Sequence, residues 1–124
     1  MPPSINDLLL NKNSSEKMND YYLYNGLYIK RDKRNVKKLR NHVMNSLDGR
    51  CENKLCNKKF FQKYNSEDLY FEAHHIIFLS NGGKDKIENM ILLCPDCHRK
   101  AHFSKEKKSL EKRFLEYIKD RELN

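Results

Sequence analysis

Four of the chain's five histidines and two of its four cysteines fall in one stretch, between Glu72 and His102. Two of the four glycines lie in the same stretch, flanked by the apolar runs Ile76–Leu79 and Met90–Leu93. Short apolar runs on either side of a turn-rich loop are typical of two paired strands. The stretch therefore predicts a strand that starts near Tyr70, a loop, a second strand and then a helix that carries the last two histidines.

The cysteines form two closely spaced pairs, Cys51 with Cys56 and Cys94 with Cys97. Four thiolates suit the closed tetrahedral coordination of a structural Zn2+, and each short loop lets one pair bind the same ion. Unrelated buried thiols and two disulfides are the alternatives. The N-terminus shows no secretory leader, so we expect a cytoplasmic, reducing setting and metal rather than disulfides. Such a zinc would join the end of the first helix to the start of the helix that bears His98.

The histidines indicate a second, different metal site. His98 and His102 are four residues apart, so on a helix they share one face and can bind one ion. Adjacent strand residues point to opposite faces, so His74 and His75 can both reach that ion only if the strand bends or bulges there. Otherwise one of the two serves the site. Three imidazoles leave coordination positions open for water and a substrate oxygen, and an unligated histidine can act as a general base. We expect His42 to be an ordinary surface residue.

The charge balance favours a polyanionic partner. Lys and Arg number 25 against 17 Asp and Glu, which gives a net charge of +8. Nucleic acid is the first expectation, an acidic membrane surface is weaker, and a merely soluble basic protein is the plain alternative. No apolar run approaches the length of a membrane span. Basic residues concentrate at 30–40 and 99–113, where either phosphate contact or a solvated face is possible. The residues expected to contact a nucleic-acid backbone are Lys37, Lys38, Arg40, Arg99 and Lys100.

The remaining sequence predicts supporting elements. Residues 1–20 are polar and aperiodic, and we expect a flexible N-terminal arm. Asn25-Gly26 between β-favouring residues predicts a hairpin with a type I′ turn. Helical periodicity then predicts two amphipathic helices, one before the cysteines and one at the C-terminus. We expect a break near Phe103-Ser104, between the helix that carries His98 and His102 and the C-terminal helix. Their apolar positions are Val36, Leu39, Val43, Met44 and Leu47 in the first helix, and Leu110, Phe114, Leu115 and Ile118 in the C-terminal one. We predict one small α+β domain over residues 21–124, with a motif core at 51–102.

Residues 51–102 resemble the HNH endonuclease family, whose fold is the ββα-metal motif. The resemblance is carried by both cysteine pairs, the His74-His75-Ile76-Ile77 run, Gly82-Gly83, Glu88-Asn89, Leu92-Leu93-Cys94 and Cys97-His98. It implies a ββα-metal core with a structural four-cysteine zinc site, preceded by the hairpin and a basic helix and followed by the C-terminal helix. It also implies hydrolysis of phosphodiester bonds in DNA with a catalytic divalent metal, which could be Mg2+, Mn2+, Ni2+ or Zn2+.

The same resemblance assigns roles within the stretch. It implies that His75 is the general base, that His74 and His98 bind the catalytic metal, and that Asn89 orients the base. His102 matches the extra metal ligand of the nuclease-colicin branch, although many zinc-containing members use two protein ligands. Phe78 departs from the family pattern, where proline is common, which affects loop shape more than chemistry. The rival hypothesis is a non-catalytic zinc-knuckle module that binds nucleic acid, which the paired histidines do not favour.

Overall fold

The computed structural model describes residues 21–24, 27–30 and 33–123. The predicted N-terminal arm 1–20 and the Asn25-Gly26 turn lie outside the described residues. Around that turn, the two flanking segments do pair as antiparallel strands, with Tyr21 opposite Lys30.

The described chain contains four strands and three helices, which confirms the α+β class. The strands are β1 (Tyr21–Tyr24), β2 (Leu27–Lys30), β3 (Glu72–His75) and β4 (Met90–Leu93). The helices are α1 (Lys33–Ser46), α2 (Pro95–Phe103) and α3 (Lys107–Asp120). Strands β1 and β2 form one two-stranded sheet, and β3 and β4 form another. The order β3, β4, α2 is the predicted ββα unit, and the break between α2 and α3 falls at the expected place.

Strand β4 is the centre of the core. All four of its residues are buried, which explains why it is a continuous apolar run instead of an alternating one. Helices α1 and α2 both pack against β4, and α3 packs against α2. Leu39 and Val43 from α1 and Phe114 from α3 complete this core. The packing therefore fixes α2, and the histidines on it, against the sheet.

The first strand of the unit is shorter than the apolar pattern predicts. It ends at His75, and Ile76–Leu79 leaves the sheet, although Ile76 and Leu79 are still buried. The cause is Asn89, whose side chain accepts a hydrogen bond from Ile77 N–H and donates one to Ile77 C=O, each at 2.8 Å. In addition, Asn89 N–H donates to Lys86 C=O at 2.9 Å, so it is not available to extend the β3–β4 ladder. Tyr70 also lies outside β3, because its N–H donates to Phe61 C=O at 2.8 Å.

The loop between the two strands folds tightly on itself. Gly83 N–H donates to Phe78 C=O at 2.9 Å, and a Cβ on Gly83 would lie 1.8 Å from the carbonyl oxygen of Ile77. Only glycine permits this close approach of two backbone segments. The loop path, and hence the position of every side chain on it, depends on this residue. Among the described helices, none is both long and apolar enough to cross a membrane.

Candidate functional site

The four cysteines meet at one point between the 51–56 loop and the start of α2. One Sγ atom from each lies within 4.8 Å of the others, and all four are free thiols. The Sγ atoms of Cys56 and Cys94 are 3.8 Å apart. A tetrahedral zinc with Zn–S bonds of about 2.3 Å requires S···S separations of about 3.8 Å. The cluster therefore has the composition and spacing that a structural zinc needs.

Polar groups around the thiols also suit thiolate ligands. Cys94 N–H donates to the Cys51 sulfur at 3.4 Å, and Asn53 Nδ2 donates to the Cys97 sulfur at 3.5 Å. Burial raises the pKa of the Cys51 thiol to about 12. Burial also acts to raise the pKa of Cys94, but hydrogen bonds from the Cys97 backbone and thiol, then from other cysteine thiols, lower it overall. Burial also raises the pKa of Cys97. A bound cation would favour the thiolate form of Cys51 and Cys97, because it compensates the buried negative charge.

Three histidines form a second cluster, between β3 and α2. One ring nitrogen from each of His74, His98 and His102 lies within 4.8 Å of the others. The Nε2 atoms of His98 and His102 are 3.1 Å apart, because the two residues are one helical turn apart on the same face of α2. The ring centroids of His74 and His98 are 5.1 Å apart. This donor set could hold a divalent ion that imidazole nitrogen favours.

The local environment keeps two of these imidazoles neutral. Burial, and then the charges of His98 and His102, lower the pKa of His74 to about 3. Burial, His98 and Lys107 lower the pKa of His102 from its ordinary value. A neutral imidazole is the form that binds metal, so neither residue must release a proton near neutral pH to act as a ligand.

Glu72 supports the histidine cluster, and the sequence analysis missed it. Its Oε1 lies 2.8 Å from His98 Nδ1, and its Oε2 accepts a hydrogen bond from the Tyr70 hydroxyl at 2.7 Å. These two hydrogen bonds lower the pKa of Glu72, and the bond from Tyr70 has the larger effect. A carboxylate on Nδ1 fixes the ring orientation and leaves Nε2 for a metal. The available signal was the position of Glu72, two residues before His74 and so on the same strand face.

His75 stands apart from the cluster. It is opposite Met90 in the regular β3–β4 ladder, one residue beyond the His74–Ile91 pair. The strand neither bends nor bulges between the two histidines, so the second alternative applies and only His74 joins the three-imidazole cluster. His75 Nε2 instead lies 2.8 Å from Asp85 Oδ1, on the loop between the strands. The sequence analysis did not single out Asp85.

Asn89 is buried, and its side chain is fully engaged by backbone. Besides the two bonds to Ile77, its Nδ2 donates to Lys84 C=O at 2.9 Å. Its own carbonyl accepts from Ile76 N–H at 2.9 Å. Asn89 thus ties the segment after His75 to the loop that carries Asp85, which is a positioning role and not a direct contact with a reacting group.

The residues expected to contact DNA are distributed over two helices. Lys37 and Lys38 are exposed on α1, and Arg99 and Lys100 are exposed on α2. Arg40 is half-buried and forms an ion pair with Asp68 at 2.8 Å, and Lys100 pairs with Asp96 at 3.1 Å. His42 lies on α1, where it lines a surface cavity together with Lys54 and Tyr117, away from the histidine cluster.

The structure thus combines a ββα unit with a four-cysteine cluster and a three-histidine cluster, each of which could hold a metal ion. Residues 51–104 match the family model described as HNH endonuclease.

Two relatives and one solved structure extend the comparison. The Type IV methyl-directed restriction enzyme EcoKMcrA of Escherichia coli (strain K12) is 43% identical over 68 residues, which cover 55% of this chain and 24% of the enzyme. Anaredoxin of Nostoc sp. (strain PCC 7120 / SAG 25.82 / UTEX 2576) is 53% identical over 30 residues, 24% of this chain and 40% of that protein. The structure of the Type IV phosphorothioation-dependent restriction endonuclease ScoMcrA is similar with a TM-score of 0.54 and 27% identity. It covers 64% of this chain, which in turn spans 15% of that structure. The matched stretches are a minor part of each of these proteins: 24% of EcoKMcrA, 40% of anaredoxin and 15% of the ScoMcrA structure.

Proposed function

We propose that this chain is a metal-dependent HNH endonuclease that hydrolyses phosphodiester bonds in DNA, and that residues 21–124 act as one nuclease domain. One observation carries the proposal. Three imidazoles, from His74, His98 and His102, converge within 4.8 Å, while His75 at the next strand position lies outside the cluster and contacts a separate carboxylate. A binding module needs neither the cluster nor the separate fourth histidine.

The proposed roles follow from the chemistry of each group. His75 removes the proton from the attacking water, since an imidazole that binds no metal can accept one near neutral pH. His74, His98 and His102 hold the catalytic divalent ion, which could be Mg2+, Mn2+, Ni2+ or Zn2+. An ion held there would supply electrostatic stabilisation of the charge that develops on the phosphate and on the leaving 3′ oxygen. Asn89 keeps the segment after His75 in place through its three side-chain hydrogen bonds.

We assign the four-cysteine cluster to a structural Zn2+ because four sulfur ligands leave no open coordination position. Free thiols at this spacing fit a reducing compartment. We assign backbone contact with DNA to Lys37, Lys38, Arg40, Arg99 and Lys100, since exposed basic side chains supply affinity without reading sequence.

The test is cleavage of supercoiled plasmid by the purified, zinc-loaded protein with each of the four metals, and with EDTA as the metal-free reference. Because two relatives are named as methyl-directed and phosphorothioation-dependent enzymes, the plasmid is supplied unmodified, methylated and phosphorothioated. We expect metal-dependent nicking or linearisation that EDTA abolishes and added metal restores.

The matched variants are His75→Ala and His42→Ala. We expect His75→Ala to lower the cleavage rate by about 10²–10⁴-fold, the usual contribution of a general base, while DNA affinity stays within about 2-fold. His42→Ala should cut like the wild type. Protein that binds DNA but cuts none of the plasmids with any metal would support the non-catalytic binding module. Cleavage by His75→Ala at the wild-type rate would show that another group is the base.

A further inference from the structure

Asp85 presents a buried carboxylate to the proposed general base. Its Oδ1 is 2.8 Å from His75 Nε2, and the exposed fractions of the two side chains are only 9% for Asp85 and 15% for His75. An ionised carboxylate can only accept hydrogen bonds, so the hydrogen must be on Nε2 of His75. In a neutral imidazole with its hydrogen on Nε2, Nδ1 is the atom that can accept a proton.

The backbone that carries Asp85 is held from two sides. Asn35 on α1 donates through Nδ2 to the Asp85 carbonyl at 3.1 Å. Asn89 donates to the carbonyl of the preceding residue, Lys84, at 2.9 Å. Since the Asp side chain has a single methylene, its carboxylate can reach His75 only if the backbone stays in this position. The contact is therefore a built feature of the loop.

The pair repeats an arrangement found at the histidine cluster. There, Glu72 contacts His98 Nδ1 at 2.8 Å and leaves Nε2 facing the other imidazoles. At His75 the carboxylate occupies Nε2, so the opposite ring nitrogen is left available. Each carboxylate thus selects which nitrogen of its histidine is offered to the site.

We propose that Asp85 is the positioning residue for His75: it holds the imidazole in one orientation with the hydrogen on Nε2, so that Nδ1 accepts the proton of the attacking water. The inference rests on the proposed function, in which His75 is the general base. Water gives its proton to Nδ1 as its oxygen attacks phosphorus, and the bond from phosphorus to the 3′ oxygen breaks, the leaving 3′ oxygen taking a proton from solvent. The imidazolium that forms is stabilised by the Asp85 carboxylate.

The first test is the kinetics of Asp85→Asn and Asp85→Ala. We expect the cleavage rate at saturating DNA to fall about 10-fold or more, with an upper limit set by the loss in His75→Ala, about 10²–10⁴-fold. DNA affinity should stay within about 2-fold, because the role proposed for Asp85 is in the reaction and not in DNA binding. The control is Asp48→Asn, the same chemical change at an exposed residue that pairs only weakly with Lys59, at 3.7 Å. Its backbone has a φ of +53°, which asparagine tolerates.

A double variant separates positioning from general structural support. If Asp85 acts through His75, His75→Ala combined with Asp85→Ala should cut no more slowly than His75→Ala alone. Losses that multiply would overturn the proposal, as would a wild-type rate in both single variants. Should Asp85→Ala not fold, Asp85→Asn has the same size, and its combination with His75→Ala gives the same comparison.

The second readout does not need activity. In ¹⁵N-histidine-labelled, zinc-loaded protein, NMR should show His75 with hydrogen on Nε2 and none on Nδ1. In Asp85→Asn the amide can donate as well as accept, so we expect the other tautomer to gain population. An unchanged tautomer would overturn the inference. Wild-type protein that never cuts DNA would remove the proposed function, while the spectrum would still decide whether Asp85 sets the tautomer.

Discussion

His102 and His98 are close enough that the two imidazoles could share one metal ion. Its Nε2 lies 3.1 Å from His98 Nε2, and its ring stacks on Phe78 with centroids 4.7 Å apart. We predict that His102→Ala weakens binding of the catalytic divalent metal by about 10-fold or more, on the order of 1.4 kcal/mol. The loss should be larger for Zn2+ and Ni2+ than for Mg2+ and Mn2+, because imidazole is a softer ligand than water. Calorimetric titration of each metal into zinc-loaded protein measures the affinities.

His42→Ala is the control for this titration, since it removes an imidazole that lies on α1. It should bind the metal as the wild type does, and the four-cysteine site should keep its zinc in both variants. Equal affinities in wild type and His102→Ala would mean that the site consists of His74 and His98 alone. His102 would then serve to pack against Phe78.

At the level of single residues, the candidate metal ligands could be predicted from the sequence, but the carboxylates that contact the histidines could not. Spacing within a helix or a short loop is local, so the pairing of His98 with His102 and of Cys94 with Cys97 could be predicted. Asp85 reaches His75 through a loop whose path depends on Gly83 and on the side chain of Asn89. No periodicity encodes such a path, which explains why Asp85 was missed.

The end of α3 is fastened by a buried ion pair. Arg121 follows the helix and contacts Glu52, beside the first cysteine, at 3.1 Å; their exposed fractions are 3% and 0%. Arg121 also donates to the carbonyls of Met90 and Ile87, and Tyr117 donates to Glu52 at 2.7 Å. We predict that Arg121→Ala lowers the free energy of unfolding by about 3–5 kcal/mol, because Glu52 would stay buried without its cation.

Urea unfolding of zinc-loaded protein measures this loss. Arg113→Ala is the control, since Arg113 is exposed on the same helix. Its unfolding free energy should change by no more than about 0.5 kcal/mol. If Arg121→Ala were equally mild, the ion pair would contribute little, and apolar packing of Phe114 and Leu110 would hold α3 in place.

At the level of elements, helices were easier to predict than strands. The apolar period of α1 placed Leu39 and Val43 in the core, but Met44 is 45% exposed, because the core covers a narrower face than the pattern suggested. The apolar run after His75 was predicted to be strand, and Asn89 instead takes the backbone groups of Ile77. The end of a strand can depend on a side chain that is distant in sequence, as here on Asn89. No local pattern in a single sequence predicts such a contact.

The four-cysteine cluster connects parts of the molecule that are far apart in sequence. Cys51 and Cys56 precede the ββα unit, whereas Cys94 and Cys97 start its helix. We predict that the protein carries about one tightly held zinc per chain. We also predict that Cys97→Ser unfolds the protein or lowers its melting temperature sharply, because binding of the ion would contribute directly to folding. Elemental analysis and thermal unfolding check both statements. A cooperatively folded protein that contains no zinc would contradict them.

The basic surface of the whole molecule sets the expected response to salt. The net charge is +8, and Lys37 and Lys38 are exposed on α1, while the neighbouring Arg40 already pairs with Asp68 at 2.8 Å. Each phosphate contact on B-DNA contributes about 0.9 to the slope of log affinity against log salt concentration. Lys37 and Lys38 should therefore contribute more to this slope than Arg40 does.

We predict that Lys37→Ala combined with Lys38→Ala reduces the magnitude of that slope by about 1–2, and that adding Arg40→Ala changes it little further. The loss should be similar for unrelated DNA sequences, because contacts to phosphate carry no sequence information. Fluorescence anisotropy with a labelled duplex in EDTA measures binding without cleavage. The control, Lys63→Ala with Lys119→Ala, removes the same charge from exposed positions elsewhere. An equal loss of slope in the control would assign the effect to net charge. An unchanged slope in Lys37→Ala with Lys38→Ala would mean that this face of α1 does not contact DNA.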